Sequence, residues 1–585
     1  MTFGEIIQSI DDFVWGIPLI VLILGAGIYL SVRLLFVPVR KLGRAFRYMF
    51  RKEEGAGEVS SFGALCTALS ATIGTGNIVG VATAIVLGGP GALFWMWVAA
   101  FFGMATKYAE GLLAVRYRKV YADGHTLGGP FYYIENGMGR RWKFLAVIFA
   151  VLGMCVGLFG IGTFSQVNSI TDAVGNIFAG APAVTLFGRE YSLAVILAGV
   201  LLTLAVGLVL LGGVRRIAKV SEMVVPFMVV LYVLICLIIL GANITAVPAA
   251  FCDIVVGAFS PKAVGAGAVG SFFVAMQKGI ARGIFSNEAG LGSAPIAAAA
   301  AKTNEPVRQG LVSMTGTFLD TLIVCTMTGL AIVITGAWKV PGLEGVAVTM
   351  EAFSQGLPGA LGSAGPVLLM ICLIFFAFTT ILGWNFYGER CLEYIAGRRK
   401  WAVYGYRVAY ILAVFVGPYM TVAAVWNIAD IFNGLMAIPN LIALLCLSGV
   451  VVRETRAYFR RYPKYRDTLS GPGAGGEPDP DPSALSAGEP AGGGGGGPPP
   501  PPGGAPPPPA PPPRGGAAAP RAAAGVERAL RPPGICVSVF RKRPERLEKS
   551  GNSRGFSPNC ARKLFAFCRP LCYTELNILC RIRTC

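Results

Sequence analysis

A run of residues suited to ligand binding interrupts the second long apolar segment of the chain. Residues 70–80 read SATIGTGNIVG, so three glycines, two threonines and one asparagine lie where a membrane-spanning helix would otherwise continue. Lipid cannot hydrogen-bond to the backbone groups that a break sets free, so a break persists only where it faces protein or a water-filled cavity. Discontinuous helices of this kind form the midplane sites of secondary transporters. The run therefore predicts a binding site within the membrane.

The second half of this interrupted helix favours an anion. It begins near Asn77, with its N-terminus at the middle of the membrane. Free amides and the positive end of the helix dipole at such a point attract negative charge. We therefore expect Thr75, Gly76 and Asn77 to hold a substrate carboxylate.

The first half favours a cation. Its last carbonyl groups, at Ala71, Thr72 and Gly74, lack partners in the helix and can coordinate a small ion. The alternative is a purely structural one, in which the glycines form a kink that lets neighbouring helices pack closely. Asn77 and the threonines beside the glycines favour the functional interpretation. A dinucleotide-binding motif is excluded because no strand precedes the run.

The composition is that of a polytopic membrane protein. Of the 585 residues, 54% are hydrophobic and only 14% are charged, whereas soluble proteins carry roughly 25% charged residues. The formal net charge of +19 is explained first by basic cytoplasmic loops, so nucleic acid is not an expected partner. The cysteines of the first 535 residues are scattered without a CxxC pair, and we expect no metal centre and no cofactor other than a transported ion.

Eleven apolar segments are long enough to cross about 30 Å of hydrocarbon. They lie near residues 15–36, 60–88, 91–117, 143–176, 192–213, 217–241, 266–299, 306–336, 364–388, 404–418 and 421–452. The expected fold class is therefore an all-α polytopic membrane protein with eleven transmembrane helices.

Basic residues in the connections predict the orientation. One side carries nearly all the Lys and Arg residues of the connections, whereas the other side has only Arg189, Lys262 and Lys339. The positive-inside rule then predicts a multi-pass protein of the cell membrane with its N-terminus outside and its C-terminus in the cytoplasm. The alternation also supports an odd number of spans, since one missed helix would scramble it.

The chain divides into three segments by composition. Residues 1–470 form the predicted transmembrane transport domain, and residues 471–533 are a Gly-, Pro- and Ala-rich linker that we expect to be disordered. Residues 534–585 form a basic, cysteine-containing tail. A regulatory tail and a sequence without a selected fold are both compatible with it, and we assign it no function.

Ionisable residues within the spans are further functional candidates. Lys107 and Glu110 lie three positions apart, which predicts a structural ion pair. Arg282 and Glu288 flank glycines of the seventh span and are candidates for ion pairs that act as a gate or lock the helix bundle. Asp320 receives no predicted role.

A longer run carries a family resemblance. Residues 88–97 read GGPGALFWMW, and Gly103 follows. From physical principles alone this is a tight turn followed by an interfacial aromatic belt. It also resembles the signature of the alanine/glycine:cation symporters (sodium:alanine symporters), which are of the amino acid-polyamine-organocation type. The resemblance extends from about residue 10 to 465 and includes GGPFYYIENGMG at 128–139, RGIFSNEAGLGSAP at 282–295 and TTILGWNFYGER at 379–390.

The resemblance implies a LeuT-type fold. In that fold two inverted repeats of five helices, here spans 2–6 and 7–11, follow one extra N-terminal helix. The sequence supports this independently, because span seven is also interrupted, at Gly279, Gly283, Gly290 and Gly292. Paired breaks at corresponding positions point to a midplane site. We expect the backbone around Gly279 to face the ammonium group of the substrate.

The resemblance also implies a sodium site on span nine. The equivalent helix of LeuT-type folds supplies paired hydroxyls to a sodium ion, and this role falls to Thr379 and Thr380, alongside carbonyls of the first broken helix. Adjacent helical residues point about 100° apart, so both hydroxyls reach one cation only with help from the backbone. Thr380 would also border the substrate. The alternative is that both hydroxyls bond back to their own helix.

Three further side chains are expected around the substrate. Trp384 lies one turn beyond Thr380 and would enclose a small side chain, although a tryptophan can instead anchor a helix to lipid. On span four, the Gln166 amide offers both a donor and an acceptor, which suits a zwitterion. The resemblance places this segment at the pocket, where Phe164 would form an apolar wall.

The sequence therefore predicts a Na⁺-coupled symporter that carries alanine and glycine into the cell by alternating access. The single histidine, His125 in a cytoplasmic loop, and the paired hydroxyls favour Na⁺ over H⁺, with H⁺-coupled symport as the alternative. A channel would need a polar stripe or a charged ring through several spans, and an enzyme would need a nucleophile–base pair or metal ligands. The absence of GxxxxGK[ST] excludes ATP-driven transport by this chain. Besides the amino acid, Na⁺ and the lipid bilayer, no partner or oligomeric state is predicted.

Overall fold

The structure, a computed structural model, describes residues 3–51, 53–186, 189–259, 268–420 and 422–462. The predicted linker at 471–533, the tail at 534–585 and Lys262 lie outside these residues. The described part of the chain is almost entirely helical. Its strands form two short antiparallel pairs, β1 Lys119–Val120 with β2 Thr126–Leu127, and β3 Ala183–Leu186 with β4 Arg189–Ser192.

The described residues form twenty-two α-helices and several short 3₁₀- or π-helical segments. The α-helices are α1 Phe3–Val14, α2 Ile17–Arg33, α3 Val37–Arg40, α4 Leu42–Met49, α5 Ser61–Thr72, α6 Val79–Gly88, α7 Gly91–Arg116, α8 Pro130–Tyr132, α9 Lys143–Phe159, α10 Phe164–Ile177, α11 Leu193–Leu210, α12 Gly213–Ala242, α13 Val247–Phe259, α14 Ala268–Asn287, α15 Ala294–Ala298, α16 Pro306–Thr317, α17 Thr326–Thr335, α18 Val346–Gly356, α19 Ala360–Ala396, α20 Lys400–Val416, α21 Val422–Cys446 and α22 Ser448–Arg461. Short 3₁₀- or π-helical segments are Thr75–Asn77, Tyr133–Met138, Arg140–Trp142, Phe318–Cys325, Ala337–Lys339 and Gly417–Tyr419.

Many of these helices are membrane spans by length and composition. Within the described residues, nine helical stretches are long and apolar enough to cross a bilayer, and the bent pair 61–72 with 75–88 would make a tenth. The mostly helical, multi-pass architecture is therefore confirmed. The other predicted span, near 266–299, corresponds to α14 and α15. It is less apolar because α14 carries Lys278 and Arg282.

Helix α7 lies at the centre of the bundle. Most of its residues are buried, and it packs extensively against α16 and α14. A Cβ atom added to Gly279 would come within 2.8 Å of Trp95 Cβ, and one added to Gly283 would come within 3.2 Å of Met96 Cα. These two glycines therefore let α14 approach α7. They do not interrupt α14, which is continuous from 268 to 287.

The aromatic run of α7 packs against α13, a helix that the sequence analysis did not anticipate. Phe94 and Phe259 have ring centroids 5.1 Å apart, and those of Trp97 and Phe251 are 6.0 Å apart. With 13 residues, α13 is about 20 Å long, too short to cross the hydrocarbon core. The run is thus a helix-packing surface, and α13 covers it.

The segments that precede α5 and follow α15 are tied together on the basic side of the bundle. Val59 and Ala301 form a parallel bridge, and the Lys302 N–H donates to the Val59 carbonyl at 2.7 Å. Arg118 reinforces this contact, because its guanidinium donates to four backbone carbonyls at 2.6–2.7 Å. These belong to Ala56, Ala299, Ala301 and Thr303.

Candidate functional site

The first break has a defined geometry. Helix α5 ends at Thr72, a 3₁₀ turn covers Thr75–Asn77, α6 begins at Val79, and the two helices are bent by 62°. The Asn77 side chain stabilises the turn, because its Oδ1 accepts the Gly74 N–H at 2.9 Å. Gly74 is required by close approach, since an added Cβ would lie 3.0 Å from Gln166 Oε1 and would collide with the Thr380 hydroxyl.

Several polar groups of the break have no protein partner. Among the described residues, no backbone N–H donates to the carbonyls of Ala71 or Thr72, and the Gly76 N–H makes no backbone bond. The Thr75 hydroxyl is buried and also unpaired. The Gly74 carbonyl accepts only the Asn77 N–H, at 3.2 Å. Because buried polar groups are nearly always satisfied, these groups are candidates for contact with a bound ligand.

The two adjacent threonines of α19 point in different directions. The Thr380 hydroxyl lies 3.3 Å from the Ile73 carbonyl at the break, and it also donates to the Phe376 carbonyl at 3.0 Å. The Thr379 hydroxyl donates to the same Phe376 carbonyl and lies 3.4 Å from the Met228 sulfur on α12. In this arrangement Thr380 meets the break, whereas the hydroxyl of Thr379 faces a neighbouring helix.

Helix α10 brings one of its two predicted residues to the break. Gln166 Oε1 accepts the Thr75 N–H at 3.2 Å, so the amide lies at the start of the 3₁₀ turn. Phe164 packs with Ala413 and with the partly buried Leu158 and Met420, on the side of α10 that faces α20. The structure thus joins Gln166 to the broken helix and places Phe164 against a different helix.

Trp384 is fully buried in the interior of the bundle. Its ring packs edge-on against Tyr387, with centroids 5.4 Å apart. Its backbone and Cβ lie against the turn that precedes α10, where a Cβ added to Gly162 would come within 2.6 Å of Trp384 Cβ. The indole N–H is directed at the carboxylate of Glu288 in the second break, so Trp384 faces the interior of the bundle and not a lipid interface.

The second interrupted helix breaks later than the sequence suggested. Helix α14 ends at Asn287, α15 begins at Ala294, and Glu288, Gly290 and Gly292 between them adopt positive φ angles of 55°, 91° and 82°. Gly290 and Gly292 therefore mark the break that the sequence predicted. Gly279 lies inside α14 against Ala92 and Trp95 of α7.

Glu110 of α7 stabilises this second break. Its Oε1 accepts the Gly290 N–H at 3.2 Å and the Asn440 side-chain amide of α21 at 2.7 Å. The predicted ion pair of Lys107 and Glu110 is not among the ion pairs of the described residues. Lys107 instead lies among three buried carboxylates, those of Glu110, Glu288 and Asp320, because the unwound segment brings Glu288 close to α7.

A buried carboxylate connects the two interrupted helices. Asp320, in the π-helical segment 318–325, accepts the Asn77 side-chain amide at 2.7 Å and the Ser286 hydroxyl at 2.9 Å. The Thr321 hydroxyl also donates to it at 2.7 Å. No role for Asp320 is predicted from the sequence. The available signal was an ionisable residue in an apolar span, which is a candidate for function by itself.

An ion pair borders a cavity beside α6, the second half of the first interrupted helix. Arg282 of α14 pairs with Asp430 of α21 at 2.8 Å, and its guanidinium lies 5.3 Å from the ring centroid of Trp426. Arg282 and Trp426 also line a cavity of about 490 Å³, together with Val79, Asn168 and Asp172. Arg282 was predicted to form an ion pair, but its partner Asp430 was not predicted from the sequence. Glu288 accepts the Ser293 hydroxyl within its own turn.

The comparison with known proteins decides the family. The family model that matches residues 1–469 is described as the sodium:alanine symporter family. The chain belongs to this family. The resemblance predicted from the sequence motifs is thereby confirmed, and the protein is a member of a family of multi-pass amino-acid transporters.

Individual relatives cover nearly the same part of the chain. An uncharacterized transporter of Haemophilus influenzae is 55% identical over 463 residues, which are 79% of this chain and 97% of the relative. The sodium/alanine symporter AgcS of Methanococcus maripaludis is 48% identical over 466 residues (78% and 98%). The probable sodium/glutamine symporter GlnT of Bacillus subtilis is 38% identical over 471 residues (80% and 92%).

Among solved structures, MhsT in complex with L-phenylalanine is similar with a TM-score of 0.46 and 17% identity, over 68% of this chain and 89% of MhsT. A TM-score at this level carries no argument about the fold.

Proposed function

We propose that this symporter couples Na⁺ to the inward transport of small neutral amino acids, alanine and glycine, by alternating access. One observation carries the proposal. The buried Thr75 hydroxyl and the Gly76 N–H lack protein partners at the start of the second half-helix, while the carbonyls of Ala71 and Thr72 lack them at the end of the first. A zwitterion and a cation are the ligands whose charges match these groups.

The carboxylate of the substrate would be held by the Thr75 hydroxyl and the Gly76 N–H, because the N–H and the side chain of Asn77 already bond to Gly74 and Asp320. Asn77 already stabilises the turn through Gly74, which orients the free N–H of Gly76. Gln166 would complete this side, since its amide keeps a donor beside the acceptor that it offers to Thr75. Trp384, which is fully buried, would limit the space for the side chain of the substrate.

Sodium would bind between the first half-helix and α19. The carbonyls of Ala71, Thr72 and Gly74 and the Thr380 hydroxyl are oxygen ligands, the type that hard cations prefer. The Thr380 hydroxyl supports this position because it already contacts the Ile73 carbonyl. Thr379 would contribute only through its backbone or after a change of rotamer, because its hydroxyl faces Met228.

The proposed architecture has eleven spans, with α14 and α15 together forming the seventh. Spans 2–6 and 7–11 would be the two inverted repeats, and an interrupted helix begins each of them. Residues 1–470 would form the transport domain. The N-terminus would lie outside and the C-terminus in the cytoplasm, so that Arg118 and the ties between the broken helices lie on the cytoplasmic side.

H⁺ coupling is the second candidate, and one observation favours it. Three fully buried carboxylates, Glu110, Glu288 and Asp320, lie around the single cation of Lys107. Buried carboxylates in membrane proteins are often proton carriers. A relative from Bacillus subtilis, 37% identical over 482 residues, is named a putative sodium/proton-dependent alanine carrier protein.

Uptake into proteoliposomes separates these proposals. Radiolabelled alanine should accumulate under an inward Na⁺ gradient and not under an equal K⁺ gradient. Accumulation driven by a proton gradient without Na⁺, and lost in Asp320→Asn, would favour H⁺ coupling. Uptake that responds to neither gradient would overturn secondary symport.

A matched pair of glycine variants tests the site itself. In Gly74→Ala the new methyl group would collide with the Thr380 hydroxyl, whereas at Gly80 an added Cβ meets nothing within 4 Å. Gly74→Ala should therefore abolish uptake and Gly80→Ala should retain it. Equal activity of the two variants would show that the break does not bind the substrate.

A further inference from the structure

A basic groove lies between the end of α2 and helix α22. It has a volume of about 350 Å³ and is lined by residues of α2, α3 and α22 and by the turns beside them. Five cationic side chains line it: Arg33, Arg40, Lys41, Arg456 and Arg460. No carboxylate is among the lining residues, and none of these five forms an ion pair with a described residue.

No carboxylate of the described residues neutralises the positive charge of the groove. Burial and the neighbouring Arg44 and Arg40 cations lower the pKa of Lys41. Arg44 has a buried guanidinium nitrogen without a hydrogen-bond partner, and Lys41 and Arg44 both lie over the Phe459 ring, at 5.4 and 5.5 Å from its centroid. Like charges held this close repel one another, and a bound anion would relieve that repulsion.

The floor of the groove is apolar and continues into a surface suited to lipid. Leu34, Leu35, Val37, Val452 and Phe459 line it. Helix α2, which ends the first membrane-spanning stretch at Arg33, exposes a row of large apolar side chains that leads to the groove, among them Val21, Ile28 and Val32.

The turn that shapes the groove has an unusual backbone. Leu35 and Phe36 both adopt φ angles of +53°, which side chains with a Cβ rarely do. Leu35 is 64% exposed and Phe36 is 39% exposed, so the turn presents two apolar side chains to the surroundings beside the cations. Strained backbone of this kind is concentrated at functional sites.

The groove lies at the level of the membrane surface. Arg33 is the last residue of α2, and α22 begins at Ser448, directly after α21 ends at Cys446. Arg33 donates to the Ser448 hydroxyl at 3.1 Å, which joins the two helix ends. Cations at this level, above a lipid-facing apolar surface, have the arrangement that binds anionic headgroups.

We propose that this groove binds one anionic phospholipid. The phosphate of the headgroup would lie among the five cations, and an acyl chain would follow the apolar face of α2. A soluble phosphate would bind the cations but would leave Leu35 and the exposed apolar side chains of α2 in contact with solvent. A lipid covers both the cations and these apolar side chains.

Native mass spectrometry of the purified full-length protein tests the proposal. Dioleoylphosphatidylglycerol and dioleoylphosphatidylcholine are titrated separately into the wild type, the double variant Arg456→Gln/Arg460→Gln and the control Arg140→Gln/Arg141→Gln. The control removes the same charge from an exposed connection outside the groove. The wild type and the control should bind phosphatidylglycerol about tenfold more tightly than phosphatidylcholine, and the double variant should lose most of this preference.

Two results would overturn the proposal. The first is an unchanged phosphatidylglycerol preference in the double variant and also in Arg40→Gln/Arg456→Gln, which serves as a second variant should the first be unstable. The second is thermal stabilisation of the wild type by inorganic phosphate that the double variant loses and the control keeps, since it would identify a soluble anion. Neither experiment depends on the transported substrate, so failure here leaves the proposed transport function untouched.

Discussion

At the residue scale, the first break is only partly satisfied by the protein itself. Side chains from two other helices reach it: Gln166 accepts the Thr75 N–H, and Thr380 contacts the Ile73 carbonyl. The Thr75 hydroxyl and the Gly76 N–H have no partner in the part of the chain that the structure describes. Leaving buried groups unpaired costs about 1–3 kcal/mol each, so a ligand that pairs with them gains that free energy on binding.

The two threonines of α19 allow a direct test of the sodium site. Thr380→Val removes the hydroxyl at nearly constant shape, and we expect the Na⁺ concentration for half-maximal uptake to rise about tenfold, because the lost contact with a cation is worth about 1.5 kcal/mol. Thr379→Val should change it little, since that hydroxyl faces Met228. Uptake measured at a series of Na⁺ concentrations gives both values. A larger effect of Thr379→Val would move the ion away from Thr380.

Sequence reasoning located the first break but not the partners that surround it. The glycines and Asn77 identified the position because a polar interruption of an apolar span has few explanations. The contact of Asn77 with Asp320 joins residues 243 positions apart, and no local pattern indicates which helices pack together. The same limit applies to the contact of Phe164 with Ala413, which joins α10 to α20; its predicted place beside the substrate stays a prediction.

At the element scale, glycines proved to have two different uses in the seventh span. Gly279 and Gly283 let α14 pack against α7, whereas Gly290 and Gly292 have positive φ angles and allow the chain to unwind. Both uses place glycine at similar spacing in an apolar helix, so the sequence alone could not separate them. Helices α13 and α18 were missed because each is short, with 13 and 11 residues, and falls below the length of a span.

The tie between the two interrupted helices predicts a conformational effect of Arg118. Its guanidinium donates to the carbonyl of Ala56 and to three carbonyls within residues 299–303. Hydrogen bonds from a charged donor contribute about 1.5–3 kcal/mol each to stability. Arg118→Gln should therefore loosen this side of the bundle and speed amide hydrogen exchange in residues 56–59 and 299–303 by at least about tenfold.

Arg116→Gln is the matched control for this experiment. Arg116 is the last residue of α7, two positions before Arg118, and forms an exposed ion pair with Glu454 at 3.4 Å; exposed pairs contribute little to stability. Exchange in the two segments should stay at the wild-type rate. If Arg118→Gln also leaves exchange unchanged, the four carbonyls do not depend on the guanidinium, and the tie rests on the backbone bridge of Val59 and Ala301 alone.

At the scale of the whole molecule, the predicted transport domain and the family match end at nearly the same position. The match covers residues 1–469, and relatives aligned over 463 and 466 residues are covered to 97% and 98% of their own length. A chain that stops after residue 470 should therefore transport alanine at a rate per molecule within about twofold of the full chain. Reconstitution of both forms at equal protein amounts measures this, and loss of uptake would assign the tail a role that its composition does not predict.

The side on which each terminus lies tests the span count and the orientation together. Eleven spans place the two termini on opposite sides of the membrane, whereas the ten stretches recognised by length and composition in the described residues place them on the same side. The difference rests on α14 and α15, which are the least apolar of the proposed spans because Lys278 and Arg282 lie within α14. The positive-inside rule then assigns the cytoplasmic side to the connections that carry Arg118 and the basic groove.

A fluorescent protein that folds only in the cytoplasm should be bright when fused after residue 470 and dark at the N-terminus, and an N-terminal epitope tag should react on intact cells. Fluorescence at both ends would indicate an even number of spans and exclude the 5+5 arrangement with one extra helix. Fluorescence at the N-terminus alone would keep an odd number of spans but would place the N-terminus in the cytoplasm and the C-terminus outside.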